Sequence, residues 1–202
     1  NPNKSMIQET ILEKSPLIIH NLINKKKELT NITIQEIINK NPGYIIQDKN
    51  KNIILTSFND KNIHQMAVLD NSNMIDDFLL NQSLKEMNQS FMNPLSCNLK
   101  MHLSILKGDH IITIKQMKHN FGIFAQLYGE STFYIINPKH KEDILNKNHN
   151  EIKKWAFKIN LKPSLVLYLP PEWYYMYEVS DESIISYSSC DNYLTWGYNL
   201  LR

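Results

Sequence analysis

Lys162-Pro-Ser-Leu-Val-Leu-Tyr-Leu-Pro-Pro-Glu-Trp-Tyr-Tyr-Met-Tyr-Glu-Val-Ser-Asp-Glu-Ser-Ile-Ile-Ser-Tyr-Ser-Ser189 is the stretch on which the fold turns. Leu165 to Leu169 is a short apolar run of strand type. Pro170 and Pro171 fix φ and remove two N–H donors, so a rigid extended turn through Glu172 ends that strand. Trp173 to Val179 and Ser183 to Ser188, separated by Ser180-Asp181-Glu182, read as a hairpin. Upstream, Gly122-Ile-Phe-Ala-Gln-Leu-Tyr128 turns at Gly129-Glu130 into a strand from Thr132 to Ile136, which Asn137-Pro138 stops. Successive antiparallel hairpins dense in aromatics predict a jelly-roll, a double-stranded β-helix.

Further out the pattern changes. Ile7, Ile11 and Leu12 recur at helical spacing within residues 5 to 14, with Ser5 as N-cap, and Pro16 ends that helix. Leu17-Ile18-Ile19-His20 reads as a buried strand, and Thr33 to Ile38 starts a second helix after an Asn31 or Thr33 cap. Gly43 to Ile46 and Asn52 to Leu55 read as a strand pair around the polar turn Gln47 to Lys51. From Met74 to Met92, Ile75, Phe78, Leu79 and Leu84 suit one or two amphipathic helices, closed by Asn93-Pro94. Strands dominate from Leu99 to Tyr198, with one helical interruption near Glu142 to Lys154. The order is α+β: a single domain with a mixed helix and strand part over residues 1–98 packed on a jelly-roll core over 99–202.

Composition bounds the function. With 202 residues, 42% apolar and 10% aromatic, the chain is long enough for one packed core and short for two. Lys replaces Arg almost completely, Arg202 being the single arginine among 22 basic residues, the mark of an AT-rich coding genome such as those of some protists, insect symbionts or giant viruses. A net charge of +2 is too small for a dedicated nucleic-acid surface, and the run Lys25-Lys26-Lys27 reads as a solvated turn. Cys97 and Cys190 have no CxxC partner, which suggests neither a zinc site nor a disulfide framework. No apolar run reaches the roughly 18 residues of a membrane span, and Asn1-Pro2-Asn3-Lys4 lacks a signal-peptide core. An intracellular setting, in cytoplasm or nucleus, or a virion if the source is viral, is the expectation.

The quoted blocks resemble those of the JmjC and cupin-like (cupin-8 type) Fe(II)/2-oxoglutarate hydroxylases. Residues Gln116 to Pro138 align without gaps with that family's block running from His-x-Asp through Ala-Gln and Gly-x-Lys to Pro. Lys162 to Ser189 resembles its Lys-Pro-Gly-Asp, Pro-Pro-x-Trp-x-His block, and Glu13 to Leu22 resembles its opening strand. The resemblance implies a jelly-roll whose iron is held by two His and a carboxylate. Carried over residue by residue, the His-x-Asp pair falls on Gln116 and Lys118, the distal His on Tyr175, and the basic residue for the cosubstrate on Ser131. Ser164 and Leu165 stand at the turn Gly-Asp.

An amide, a cation and a phenol of ordinary pKa about 10 are poor partners for Fe(II). The resemblance therefore implies a non-catalytic pseudoenzyme without cofactor, retained as a structural or protein-interaction module with a protein partner in a larger assembly. The alternative is a divergent hydroxylase or dioxygenase that uses Fe(II) and 2-oxoglutarate on a protein or RNA substrate. A third possibility is a small-ligand or sugar-binding cupin that works without metal. Tyr134, Trp173 and Tyr187 are expected to line the pocket, and Tyr174, Tyr175, Tyr177 and Tyr187 to fill its mouth. Lys118 is expected to stand for the lost metal charge, beside a carboxylate or Tyr175. Shifting the register to His110 or His119 places Ile112 or Phe121 at the carboxylate, and His140-Lys141-Glu142 reads as a solvated loop.

Overall fold

The computed structural model describes residues 7, 9, 11–23, 27–30, 32–48 and 51–200; the Ser5 and Asn31 caps, Lys25-Lys26 and the middle of the 47–51 turn lie outside them. The chain is α+β, built mostly from antiparallel strands. These are β1 (Leu17–His20), β2 (Ile45–Asp48), β3 (Lys51–Ile54), β4 (Met66–Asn71), β5 (Ser96–Lys107), β6 (His110–Gln116), β7 (Phe121–Tyr128), β8 (Ser131–Ile136), β9 (Phe157–Leu161), β10 (Leu165–Leu169), β11 (Tyr174–Val179) and β12 (Ser183–Asn192). Ten of them form two main sheets, one ordered β1-β10-β7-β12-β5-β4 and the other β6-β11-β8-β9, while β2 and β3 pair by themselves.

The two hairpins read from the sequence are not hairpins. β7 pairs with β10 and β12, and β8 pairs with β11 and β9, so the Gly129-Glu130 turn carries the chain from one sheet to the other. The Ser180-Asp181-Glu182 turn does the same between β11, in the four-stranded sheet, and β12, in the six-stranded one. Turn composition reports only that the chain reverses. Which strand it then pairs with depends on partners far along the chain.

Gly129 shows how tight these crossings are. Its φ is +68°, and a Cβ there would lie 2.0 Å from the Glu182 carbonyl oxygen, a backbone atom with little room to retreat. Gly129→Ala is expected to cost about 2 kcal/mol, from left-handed strain and the clash together. For a chain of this size, thermal denaturation should register that as a fall in Tm of about 4 to 8 °C.

The sheets pack as layers. Ile123, Ala125 and Leu127 of β7, with Leu103, Ile105, Val166, Tyr168 and Ile184, face an N-terminal helical layer carrying Ile34, Ile37, Met74, Leu84, Met87 and Phe91. Phe91 stacks on Tyr168 at 5.8 Å and 3°. The opposite face of the same sheet meets the four-stranded sheet through Leu106, Phe124, Leu167 and Ile185 against Ile112, Phe133, Tyr175 and Tyr177. With both faces covered, β7 is buried at every position from Phe121 to Leu127, which is why it is apolar on both faces, with Gln126 its one buried polar side chain. Beyond the four-stranded sheet, Tyr134, Ile136 and Met176 pack on Ile144 and Ile152 of the short helices Lys141–Ile144 and His149–Ile152.

Local rules account for the helix ends. Thr33 caps the helix Ile34–Lys40, its hydroxyl accepting from Glu36 N while the Glu36 carboxylate accepts from Thr33 N. Tyr193–Leu200, read from the sequence as the end of the strand-rich region, is a helix. The Asn192 side chain starts it by accepting from Thr195 N at 2.8 Å. None of the helices among the described residues is long and apolar enough to cross a membrane.

Candidate functional site

At the end of β6 the strand register slips. Tyr177 faces Ile112, but Tyr175 faces Lys115 and Tyr174 faces Gln116, so β6 holds one residue more than β11 across that interval. Such a bulge rotates every later side chain to the other face. Ile112 packs in the space between the sheets, Ile114 packs on the outer face, and Met117 is again inside. Gln116 and Lys118 are consequently exposed. Two backbone bonds hold this arrangement, Met117 N to Trp173 O and Glu172 N to Met117 O, each 2.8 Å, and Gln116 Nε2 donates to Glu172 O at 3.3 Å.

Met117 takes the place between the sheets. Its methyl group lies over Gly122, where a Cβ would sit 2.1 Å from Met117 Cε and 2.9 Å from Sδ. The Tyr187 hydroxyl reaches the thioether at 3.8 Å. Behind it stands a packed aromatic group. Phe124 lies 5.0 Å from Phe133, 5.0 Å from Tyr175, 6.5 Å from Tyr177 and 4.8 Å from Tyr187, centroid to centroid. Burial, reinforced by Tyr187 and Asp70, drives the Tyr175 phenol far above its ordinary value, and burial does the same to Tyr177. Burial pushes Tyr187 up to about 12. These rings are neutral at physiological pH and offer no phenolate.

The other sequence-derived positions are spread out. Ser131 is buried at the opposite end of the intersheet space, where its hydroxyl donates to Gln126 Oε1 at 2.6 Å and Gln126 Nε2 donates to Ser183 Oγ at 2.6 Å. Tyr134 does not line the interior: it sits on the outer face of β8, its hydroxyl donating to Glu178 Oε2 at 3.1 Å. Burial pulls the Glu178 carboxyl upward, but bonds from Lys153, His149 and Tyr134 hold it below its ordinary value. Trp173 closes the mouth, its indole N–H donating to Lys14 O at 3.1 Å. Gln116, Lys118 and Tyr175 thus come to one end of the sheets, with only Tyr175 turned inside.

Two groupings were not read from the sequence. Asp191, 1% exposed, accepts from His119 Nδ1 at 3.1 and 3.2 Å and from Asn98 Nδ2 at 3.2 Å. A signal for it exists: counting by twos from Ile185 through Tyr187 and Ser189 along β12 puts an acid on the inward face, where a carboxylate needs a partner. The second is Asp70, paired with Lys115 at 3.3 Å, whose carbonyl faces His102 Nδ1 at 3.0 Å while His102 stacks on Tyr187. Among the described residues no group of three or more His, Cys, Asp and Glu is arranged to hold a metal ion.

No protein-family model matches the chain, and no curated protein matches it.

Proposed function

We propose that this chain is a degenerate jelly-roll of the JmjC and cupin-like class, retained as a non-catalytic interaction module within a larger assembly. The strand connectivity supports the fold reading. From β5 onward the chain alternates between the sheets at every step but β8 to β9, and the nested orders β5-β12-β7-β10 and β6-β11-β8-β9 are those of two interlocked Greek keys.

The observation that carries the functional reading is the occupancy of the mouth by the protein's own side chains. Met117 fills it, Tyr175 is packed against Phe124, and Gln116 and Lys118 face solvent. The residues present do not fit a ferrous centre. One is an ammonium that repels the cation, one an amide turned outward, and one a phenol kept neutral by burial. Ser131 brings no positive charge for a cosubstrate and spends its hydroxyl on Gln126. An interaction role is supported by the helix Tyr193–Leu200, which leaves Tyr193, Leu194, Trp196 and Tyr198 exposed together.

The test is a thermal shift under anaerobic conditions with Fe(II) and 2-oxoglutarate. Ligands at 100 times their dissociation constant add about 2.7 kcal/mol, which for this size raises Tm by roughly 5 to 11 °C. No shift is expected. Stoichiometric iron together with turnover of 2-oxoglutarate overturns the reading.

A further inference from the structure

The bulge that takes Gln116 and Lys118 out of the intersheet space delivers them to a second place. Outside the mouth lies a cleft of about 530 Å³ lined by Gln116, Lys118, Lys141, Glu172, Leu194 and Tyr198, among others. That volume suits a small ligand. Four separate parts of the chain build it: the end of β6, the Pro170–Glu172 turn, the start of the helix Lys141–Ile144 and the helix Tyr193–Leu200.

We propose that this cleft binds a small phosphate ester carrying a planar ring, of the nucleotide class. Lys118 and Lys141 bring two ammonium groups to one cleft, the point charges that suit a phosphate dianion. Leu194 and Tyr198, 85% and 55% exposed, form an apolar wall on which a ring stacks, and Pro171 extends it. Glu172 provides an acceptor for a ligand hydroxyl or amine, and its carboxylate leaves the three charged groups at a net charge of +1. Its backbone is held at φ +71°, a conformation that costs a non-glycine residue energy, with its N–H fixed on Met117 O at 2.8 Å. The strained turn thus fixes one wall of the cleft to the plug of the mouth. Met117 separates the cleft from the intersheet space, and the titration in metal-free buffer keeps its outcome apart from that of the iron test.

The probe is adenosine 5′-monophosphate, titrated in metal-free buffer into the whole chain by calorimetry, with adenosine, inorganic phosphate and succinate as comparisons. The monophosphate is expected to bind, and each comparison to bind at least about tenfold more weakly, since each lacks the ring, the phosphate or both. Lys118→Gln and Lys141→Gln are each expected to weaken binding about tenfold or more, with the far-ultraviolet circular dichroism of the ligand-free protein showing that each variant is folded. Tyr198→Ala should weaken the monophosphate but not inorganic phosphate. Absence of binding at millimolar monophosphate overturns the proposal. So does binding that both lysine variants retain, or succinate or phosphate binding as tightly as the monophosphate.

Discussion

Phe124→Ala is expected to lower stability by about 3 to 5 kcal/mol, the cost of removing a large ring from a core that relaxes only in part. For a chain of this length that is a fall in Tm of roughly 6 to 20 °C. Phe124 touches Phe133, Tyr175, Tyr177 and Tyr187 at once, with the two sheets supplying partners on either side. Its loss leaves those rings facing an unfilled space. A void with aromatic walls takes up benzene or xenon. The variant alone should therefore gain stability from either, with the parent unchanged. A cost below about 1 kcal/mol would mean that the region is loosely filled, and would remove the ground for reading the mouth as plugged.

That packing also explains how the two sheets can meet without closing. The strands β4 and β6 lie at outer edges of their sheets. Between these edges, among the described residues, run the Lys115–Asp70 pair, with side chains 45% and 42% exposed, and a bond of His110 Nε2 with the Met66 carbonyl at 3.0 Å. An exposed pair contributes less than about 1 kcal/mol. Cohesion must come from the rings behind it, which is the reason a single aromatic carries so large an effect.

What the sequence made legible was whatever a short window decides. Pro16 and the apolar run after it mark Leu17–His20, and Asn31 or Thr33 marks the helix start, where the structure shows Thr33 as the cap. The two apolar runs flanking Gly129 were equally visible, but their pairing was not, because β7 finds its partners more than forty residues away in β10 and β12. The β6 bulge was invisible for a different reason. Thr113 and Ile114 are ordinary strand residues, and only the pairing with β11 reveals that one of them is extra. That single residue decides the candidate site, since it exchanges Gln116 and Lys118 for Met117 on the inward face. Ser131 was found as a position, but its role in a buried serine and glutamine network depends on Gln126 and Ser183 from two other strands. Tyr193–Leu200 was missed because Tyr193, Thr195, Trp196 and Tyr198 are of types enriched in strands, and the Asn192 cap decides.

The second large effect concerns His119. His119→Leu is expected to cost about 3 kcal/mol, a fall in Tm of roughly 6 to 12 °C, because it takes the imidazole donor away from the Asp191 carboxylate inside the protein. Asn98 still donates to that carboxylate at 3.2 Å, which keeps the loss at the lower end of what breaking a buried pair costs. Removing the acid as well relieves the penalty. The double variant His119→Leu/Asp191→Leu should be more stable than the sum of the single losses predicts, by about 2 kcal/mol in urea denaturation, whereas agreement within about 0.5 kcal/mol would show that the two residues act independently. A consequence at the mouth follows from chain position. His119 stands two residues after Met117, so the pair anchors the segment that carries the plug to the end of β12. In His119→Leu the methyl resonance of Met117 should move toward its solvent-exposed position, while Lys118→Gln, which leaves the anchor intact, should not shift it.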